Sequence, residues 1–77
     1  MNDLSTKDSN EIINTVSNLL RESKISSLEN YSLMLVDKYP NWDFSYNALA
    51  ISLKESGNYI DAAKYFSKAI SINSSPS

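Results

Sequence analysis

The chain has 77 residues, of which 42% are hydrophobic, and it contains neither cysteine nor histidine. This length corresponds to one small domain, and the composition excludes disulfides, thiolate metal sites and histidine-dependent catalysis. The net charge of −2, with 7 basic residues dispersed along the chain, argues against nucleic acid as a partner. No apolar run is long enough to span a membrane, and the polar first residues do not resemble a secretory signal. We therefore expect a cytoplasmic protein.

The first predicted helix spans residues 9–22. Asp8 and Glu11 have the spacing of a capping box, which would place the start of the helix at this point. The apolar residues recur at helical spacing: Ile12, Ile13, Val16, Leu19 and Leu20. Residues 1–7 are polar, and we expect them to be flexible.

The second predicted helix spans residues 27–39. Ser26 and Glu29 form a second capping box, S-x-x-E, and Pro40 ends the helix because proline disfavours helical geometry in the residue before it. Its apolar residues are Leu28, Tyr31, Met34, Leu35, Val36 and Tyr39. This apolar arc is broad, which indicates that the helix is in contact with other elements on two sides.

The third and fourth predicted helices span residues 43–56 and 59–72, joined by a tight turn at Gly57, the only glycine. The apolar stripe of the third helix is Tyr46, Leu49, Ala50 and Leu53, and that of the fourth is Ala62, Phe66, Ala69 and Ile70. Gly57 follows the last turn of a helix, where positive φ is favoured, and Asn58 suits the next N-cap. Together these features predict an antiparallel helical hairpin.

This hairpin resembles a tetratricopeptide repeat, a helix-turn-helix unit of about 34 residues. The matching positions are Tyr46, Leu49, Ala50, Leu53, Gly57, Tyr59, Ala62, Phe66 and Ala69, whereas Ser74 stands in place of the closing proline. The same spacing makes residues 9–42 a degenerate first repeat, closed by Pro40. Its departures from the family pattern are Thr15, Ser23, Leu28, Ser32 and Leu35. The larger residues should splay the first pair of helices, and a turn without glycine should adopt another conformation.

The resemblance implies an all-α fold of two antiparallel helix-turn-helix hairpins, stacked as a short tetratricopeptide-type α-solenoid. The domain would cover residues 8–73 and be followed by a polar tail at 74–77. The implied function is protein–protein interaction without chemistry of its own. We expect no cofactor or metal, and the partners would be a protein or peptide and a second copy in a homodimer.

The family binds peptides on the inner face of the first helix of each pair. The positions that resemble this face are Phe44, Asn47, Ile51 and Lys54. A clamp for C-terminal carboxylates is not expected, because Ala48 occupies the position of the clamp asparagine. Trp42 and Phe44 have two interpretations: they seal the junction between the repeats, or they are exposed anchors for a partner.

The last helix has no predicted neighbour on its outer side, and helical repeat proteins usually need about three repeats for stability. We therefore expect an apolar patch with Ala63, Tyr65, Phe66 and Ile70, of which Ala63, Tyr65 and Ile70 are the candidate self-association residues. A partner protein or a downstream domain are the alternatives to a homodimer.

A different function class is also open. In this alternative the chain is an N-terminal docking or dimerisation piece of a larger enzyme, such as a glycosyltransferase-like or methyltransferase-like protein. Catalysis by the 77 residues themselves is not expected, because the acidic residues fall at helix ends and on predicted solvent faces.

Overall fold

The structure, a computed structural model, describes residues 6–74. They form four helices: α1 (Thr6–Arg21), α2 (Ile25–Lys38), α3 (Asp43–Glu55) and α4 (Tyr59–Ser74). Consecutive helices pack against each other, so the described residues are a stack of two helical hairpins, as the sequence predicts. The predicted flexible start and polar tail lie mostly outside the described residues. Thr6 and Lys7 nevertheless belong to α1, and Ser74 belongs to α4.

The turn of the first hairpin is a Schellman motif centred on Ser23. The Ser23 N–H donates to the Leu20 carbonyl at 3.0 Å, and the Lys24 N–H donates to the Leu19 carbonyl at 2.9 Å. This geometry requires positive φ at the residue after the helix, and Ser23 adopts a φ of 59°. The expectation of another conformation in the absence of glycine was therefore wrong, since serine accepts the left-handed conformation here.

The turn of the second hairpin repeats this geometry at the equivalent position. The Gly57 N–H donates to the Lys54 carbonyl at 3.1 Å, and the Asn58 N–H donates to the Leu53 carbonyl at 2.8 Å. Gly57 has a φ of 94°, as predicted. The two hairpins thus share one backbone turn, although only the second supplies the glycine that this turn favours.

The two predicted capping boxes were wrong, because both helices begin before them. α1 starts at Thr6, so Asp8 lies inside the helix. α2 starts at Ile25, and its N-cap is Lys24, which makes no side-chain capping hydrogen bond. Lys24 closes the turn with its N–H and accepts the first hydrogen bond of α2 with its carbonyl, which leaves Ser26 within the helix.

The connection between the hairpins is a tight turn packed by aromatic rings. The Tyr39 carbonyl accepts hydrogen bonds from the Trp42 N–H at 3.2 Å and from the Ser45 Oγ at 3.0 Å. Pro40 occupies the second position of this turn, which its fixed φ favours. The Trp42 ring centroid lies 6.0 Å from that of Tyr39 and 5.0 Å from that of Phe44. Trp42 and Phe44 therefore pack at the junction of the hairpins, one of the two roles expected for them.

The core consists of two clusters that meet at α3. The first contains Val16, Leu28, Leu35 and Ala48, and the second contains Leu49, Leu53 and Ala62. α3 contributes to both clusters, and Val36 connects α2 to the second one. α2 thus packs against α1 and α3, as its broad apolar arc predicted. Tyr59, which occupies a position of the repeat pattern, is 68% exposed in the first turn of α4 and does not belong to the core.

The two hairpins differ in how extensively their helices pack. α3 packs extensively against α4, whereas the contact between α1 and α2 is smaller. Leu28 and Leu35 are fully buried in the first hairpin, at positions where the second has Ala62 and Ala69. That these larger side chains splay the first pair of helices stays a prediction.

Candidate functional site

The expected peptide-binding residues lie on the accessible side of α3. Phe44, Asn47 and Ile51 are half-buried and Lys54 is exposed. Their sequence intervals of three, four and three place them in one row along the helix. We call this row the α3 face. Almost all other residues of α3 are buried, so this row is the main surface that the helix offers to a ligand.

Three small residues determine which side of α3 is accessible. Ser45, Ala48 and Ser52 are all fully buried, and they follow one another at helical spacing. The Ser45 Oγ donates to the Tyr39 carbonyl, and the Ser52 Oγ donates to the Leu49 carbonyl at 2.7 Å, so these buried hydroxyls are satisfied. These three small side chains are shielded from solvent, whereas the neighbouring α3 face keeps part of its surface accessible. Because Ala48 is fully buried, a ligand cannot reach the position of the clamp asparagine.

The α3 face combines three kinds of side chain. Phe44 and Ile51 pack against the first core cluster and keep part of their surface accessible. Between them, Asn47 offers an amide that can donate to and accept from a peptide backbone. Lys54 adds a positive charge at the end of the row. The positions of α1 equivalent to Asn47 and Ile51 are Ile13, which is 37% exposed, and Ser17, so the polar and the apolar position are exchanged between the two helices.

A second concave surface lies between α2 and α4, and the sequence did not predict it. This groove encloses about 250 Å³. Its lining residues are Glu29, Leu33, Leu49, Leu53, Asp61, Lys64 and Tyr65. Leu33 is 49% exposed and stands outside the apolar arc of α2, which is the one signal in the sequence that could have pointed to this surface.

The expected self-association residues do not lie on one face. Ala63 is exposed and Ile70 is 63% exposed, and both lie on the outer side of α4. Tyr65 is half-buried and stacks on Tyr46, with ring centroids 6.3 Å apart and planes 15° apart. The Lys68 Nζ lies 5.7 Å from the centroid of the same Tyr46 ring. Tyr65 therefore faces α3 and is not available on the outer side with Ala63 and Ile70.

Within residues 6–74, no three acidic side chains lie close enough together to hold a metal ion. In the same part of the chain, no helix has the length and apolar character that crossing a bilayer requires. Comparisons with protein families, with curated proteins and with solved structures find no match for this chain.

Proposed function

We propose that this chain is a protein-interaction module of the tetratricopeptide type, which binds a peptide segment along the α3 face. The observation that carries the proposal is the accessible row of Phe44, Asn47, Ile51 and Lys54 on a helix whose other sides are largely buried. A rigid helix presents these side chains at fixed spacing, which lowers the entropic cost of binding.

The repeat type is supported by the two hairpin turns. Ser23 and Gly57 have the same backbone conformation, and the hydrogen bonds on either side of them are equivalent. Their separation in sequence equals the length of one tetratricopeptide unit. An arrangement of two such units places the first helix of each on the same side of the stack, as α1 and α3 would be for peptide binding.

The chemistry of the α3 face indicates which peptides it would prefer. Phe44 and Ile51 would contact an apolar side chain, and Asn47 would form hydrogen bonds with the peptide backbone. Lys54 would attract a carboxylate of the peptide, mainly by increasing the association rate. We therefore expect a ligand segment with one large apolar residue followed or preceded by an acidic one. The module has no chemistry of its own in this proposal. Its compartment would be the cytoplasm, which stays an expectation from the sequence.

Selection of a displayed random-peptide library on the immobilised chain would test this function. We expect selected peptides to shift the amide resonances of Asn47, Ile51 and Lys54 together in a titration of the isotope-labelled protein. A library that yields no peptide above background would contradict the proposal. Shifts confined to Leu33, Lys64 and Tyr65 would instead assign binding to the groove between α2 and α4.

A pair of variants tests the α3 face, and the helical circular dichroism of both must be retained, because Ile51 also packs against the first core cluster. Ile51→Asp places a charge in the row, and we expect it to weaken binding of a selected peptide at least about tenfold. Asn30→Asp introduces the same charge on the exposed side of α2, away from the row, and should leave the affinity unchanged. Equal affinities for both variants would contradict the assignment.

A further inference from the structure

The outer side of α4 carries an apolar row that the described residues leave uncovered. It consists of Tyr59, Ala63, Phe66 and Ile70, and we call it the α4 stripe. Tyr59 and Ile70 are 68% and 63% exposed, Ala63 is exposed, and Phe66 is half-buried against the second core cluster. The sequence intervals of four, three and four are those of an interhelical seam in a coiled coil.

Charge is absent from this side of α4. The charged residues of the helix, Asp61, Lys64 and Lys68, are spaced so that they fall together on the opposite side. The neighbouring outer residues are Ile60, which is 81% exposed, and Ser67. A helix side that is exposed, apolar and uncharged along its length is typical of an interface.

The internal repeat shows what covers such a face. The residues of α2 that lie one repeat length before the α4 stripe are Ile25, Glu29, Ser32 and Val36. Ser32 is fully buried, and Val36 packs against the second core cluster. The same face is therefore covered by a helix in the first hairpin and open in the second.

The opposite end of the stack cannot supply the covering helix. On α3, Ala48 belongs to the first core cluster and the Ser45 Oγ donates to the Tyr39 carbonyl; both residues are fully buried, as is Ser52 one turn further along. The equivalent residues of α1 are Glu11, Asn14 and Asn18, all polar and exposed. Burying these side chains against the α4 stripe would remove a charge and two amides from water without partners. Head-to-tail stacking of copies through α1 is therefore disfavoured.

Two α4 stripes complement each other when the helices run antiparallel. A two-fold axis between Ala63 and Phe66 places the Phe66 ring of each copy opposite Ala63 of the other. The same axis places Tyr59 opposite Ile70. Phe66 stands where α2 has the small, buried Ser32, so the covering helix must offer a small residue opposite this ring. The second copy does so with Ala63.

We propose that two copies of this chain associate through their α4 stripes as an antiparallel, two-fold dimer. The interface is isologous, so it closes after two copies and does not extend into a fibre. The α3 face lies on a different helix and contributes no residue to this interface. The dimer and peptide binding are therefore independent proposals, and failure of one does not contradict the other. A single helix pair is a small interface, and its association is weak and concentration-dependent.

Sedimentation equilibrium between about 10 µM and 1 mM tests association. We expect the parent chain to pass from monomer to dimer in this range, and Ile70→Lys to weaken association at least about 30-fold while the helical circular dichroism is retained. Leu33→Lys is the matched control, because Leu33 is 49% exposed on α2, outside the stripe, and its replacement should leave the dimer intact. A parent that stays monomeric at the highest concentration overturns the proposal, as does a dimer that persists in Ile70→Lys.

The orientation has its own test, which the lack of cysteine in the chain makes possible. A spin label on Ser71→Cys, in copies without isotope, is mixed with an excess of isotope-labelled parent chain. In the antiparallel dimer the label broadens the amide signals of Tyr59 and Ile60 of the isotope-labelled copy. Broadening centred on Ile70 would show a parallel pair, and broadening in α1 would show head-to-tail stacking. Either result overturns the proposed arrangement.

Discussion

The outer helix at one end of the stack is polar, whereas the outer helix at the other end is apolar. α1 and α4 nevertheless belong to hairpins with the same turn, in which Ser23 and Gly57 occupy equivalent positions. The difference lies in the rows that face outwards: exposed Glu11 and two asparagines on α1, and Tyr59 and Ile70 on α4. One backbone unit can therefore end a stack or present a further interface, according to a few side chains on one face.

The largest loss of stability is expected from a change on α2, because this helix lies between α1 and α3. Leu35 is fully buried between α1 and α3. We expect Leu35→Ala to lower the free energy of unfolding by about 2–5 kcal/mol, since it removes buried methyl groups and leaves a cavity. Urea unfolding followed by circular dichroism measures this change. In a domain of this size such a loss approaches the total stability.

The control for Leu35 is its exposed counterpart on the same helix, Leu33. Leu33→Ala should change the free energy of unfolding by no more than about 0.5 kcal/mol, because the side chain is 49% exposed. Similar losses in the two variants would mean that α2 does not have the buried side described here.

A smaller effect is expected from placing a lysine at equivalent positions of the two hairpins. Val36 and Ile70 are one repeat length apart, but Val36 packs on the second core cluster and Ile70 is 63% exposed. Val36→Lys should destabilise the fold by roughly 1–3 kcal/mol, because a charge enters an apolar contact. Ile70→Lys should leave the stability of the dilute monomer unchanged. Thermal unfolding at low protein concentration compares the two, and equal losses would refute the difference between the ends.

The turns provide a third comparison, with changes of opposite sign. Ser23→Gly should raise the free energy of unfolding by about 0.5–1 kcal/mol, since glycine adopts the left-handed conformation without strain. Gly57→Ser should lower it by about 1 kcal/mol, through backbone strain alone, because a Cβ at this position has no neighbour within 4 Å. Chemical unfolding of both variants measures the pair. Changes of the same sign would show that the two turns are not equivalent.

The smallest change in stability is expected when the outward-facing polar row of α1 is replaced by small residues. Glu11→Ser, Asn14→Ala and Asn18→Ser give α1 the small residues that α3 has at the equivalent positions. Because the replaced side chains are exposed, each should alter the stability of the monomer by no more than about 0.5 kcal/mol. The triple variant should instead form head-to-tail assemblies larger than a dimer, which light scattering detects. A triple variant with the same assembly size as the parent would show that the polar residues of α1 are not what prevents head-to-tail stacking.

The sequence was sufficient to predict the helices and their pairing because apolar residues recur at helical spacing and Pro40 and Gly57 mark chain reversals. The sequence misplaced the start of α2, because S-x-x-E is only a local signal. The Schellman turn after α1 makes Lys24 the N-cap of α2, so the helix begins at Ile25. The left-handed conformation of Ser23 was not predictable from its residue type, which favours other conformations.

The accessible row of Phe44, Asn47, Ile51 and Lys54 was named from the sequence, and the structure leaves all four at least partly accessible, whereas peptide binding by this row stays a prediction. The groove between α2 and α4 was not predictable, because it depends on how two helices distant in sequence lie over Leu49 and Leu53. Tyr65 was misassigned to the outer side for a related reason. The position of Tyr65 on α4 lies between the buried and the exposed sides of the helix. Only the stacking of its ring on Tyr46 shows that Tyr65 contacts α3.

The membership of α3 in both core clusters has a consequence for local opening of the native state. Detachment of α3 would open both core clusters. The amide hydrogens of α3 should therefore exchange with solvent only through complete unfolding. The second cluster and the side chains packed against it include no residue of α1, so α1 can detach without disturbing that cluster. The amides of α1 should exchange at a lower free energy. The chain would then populate a three-helix form in which Ala48 and Leu28 are uncovered while α3 and α4 stay paired.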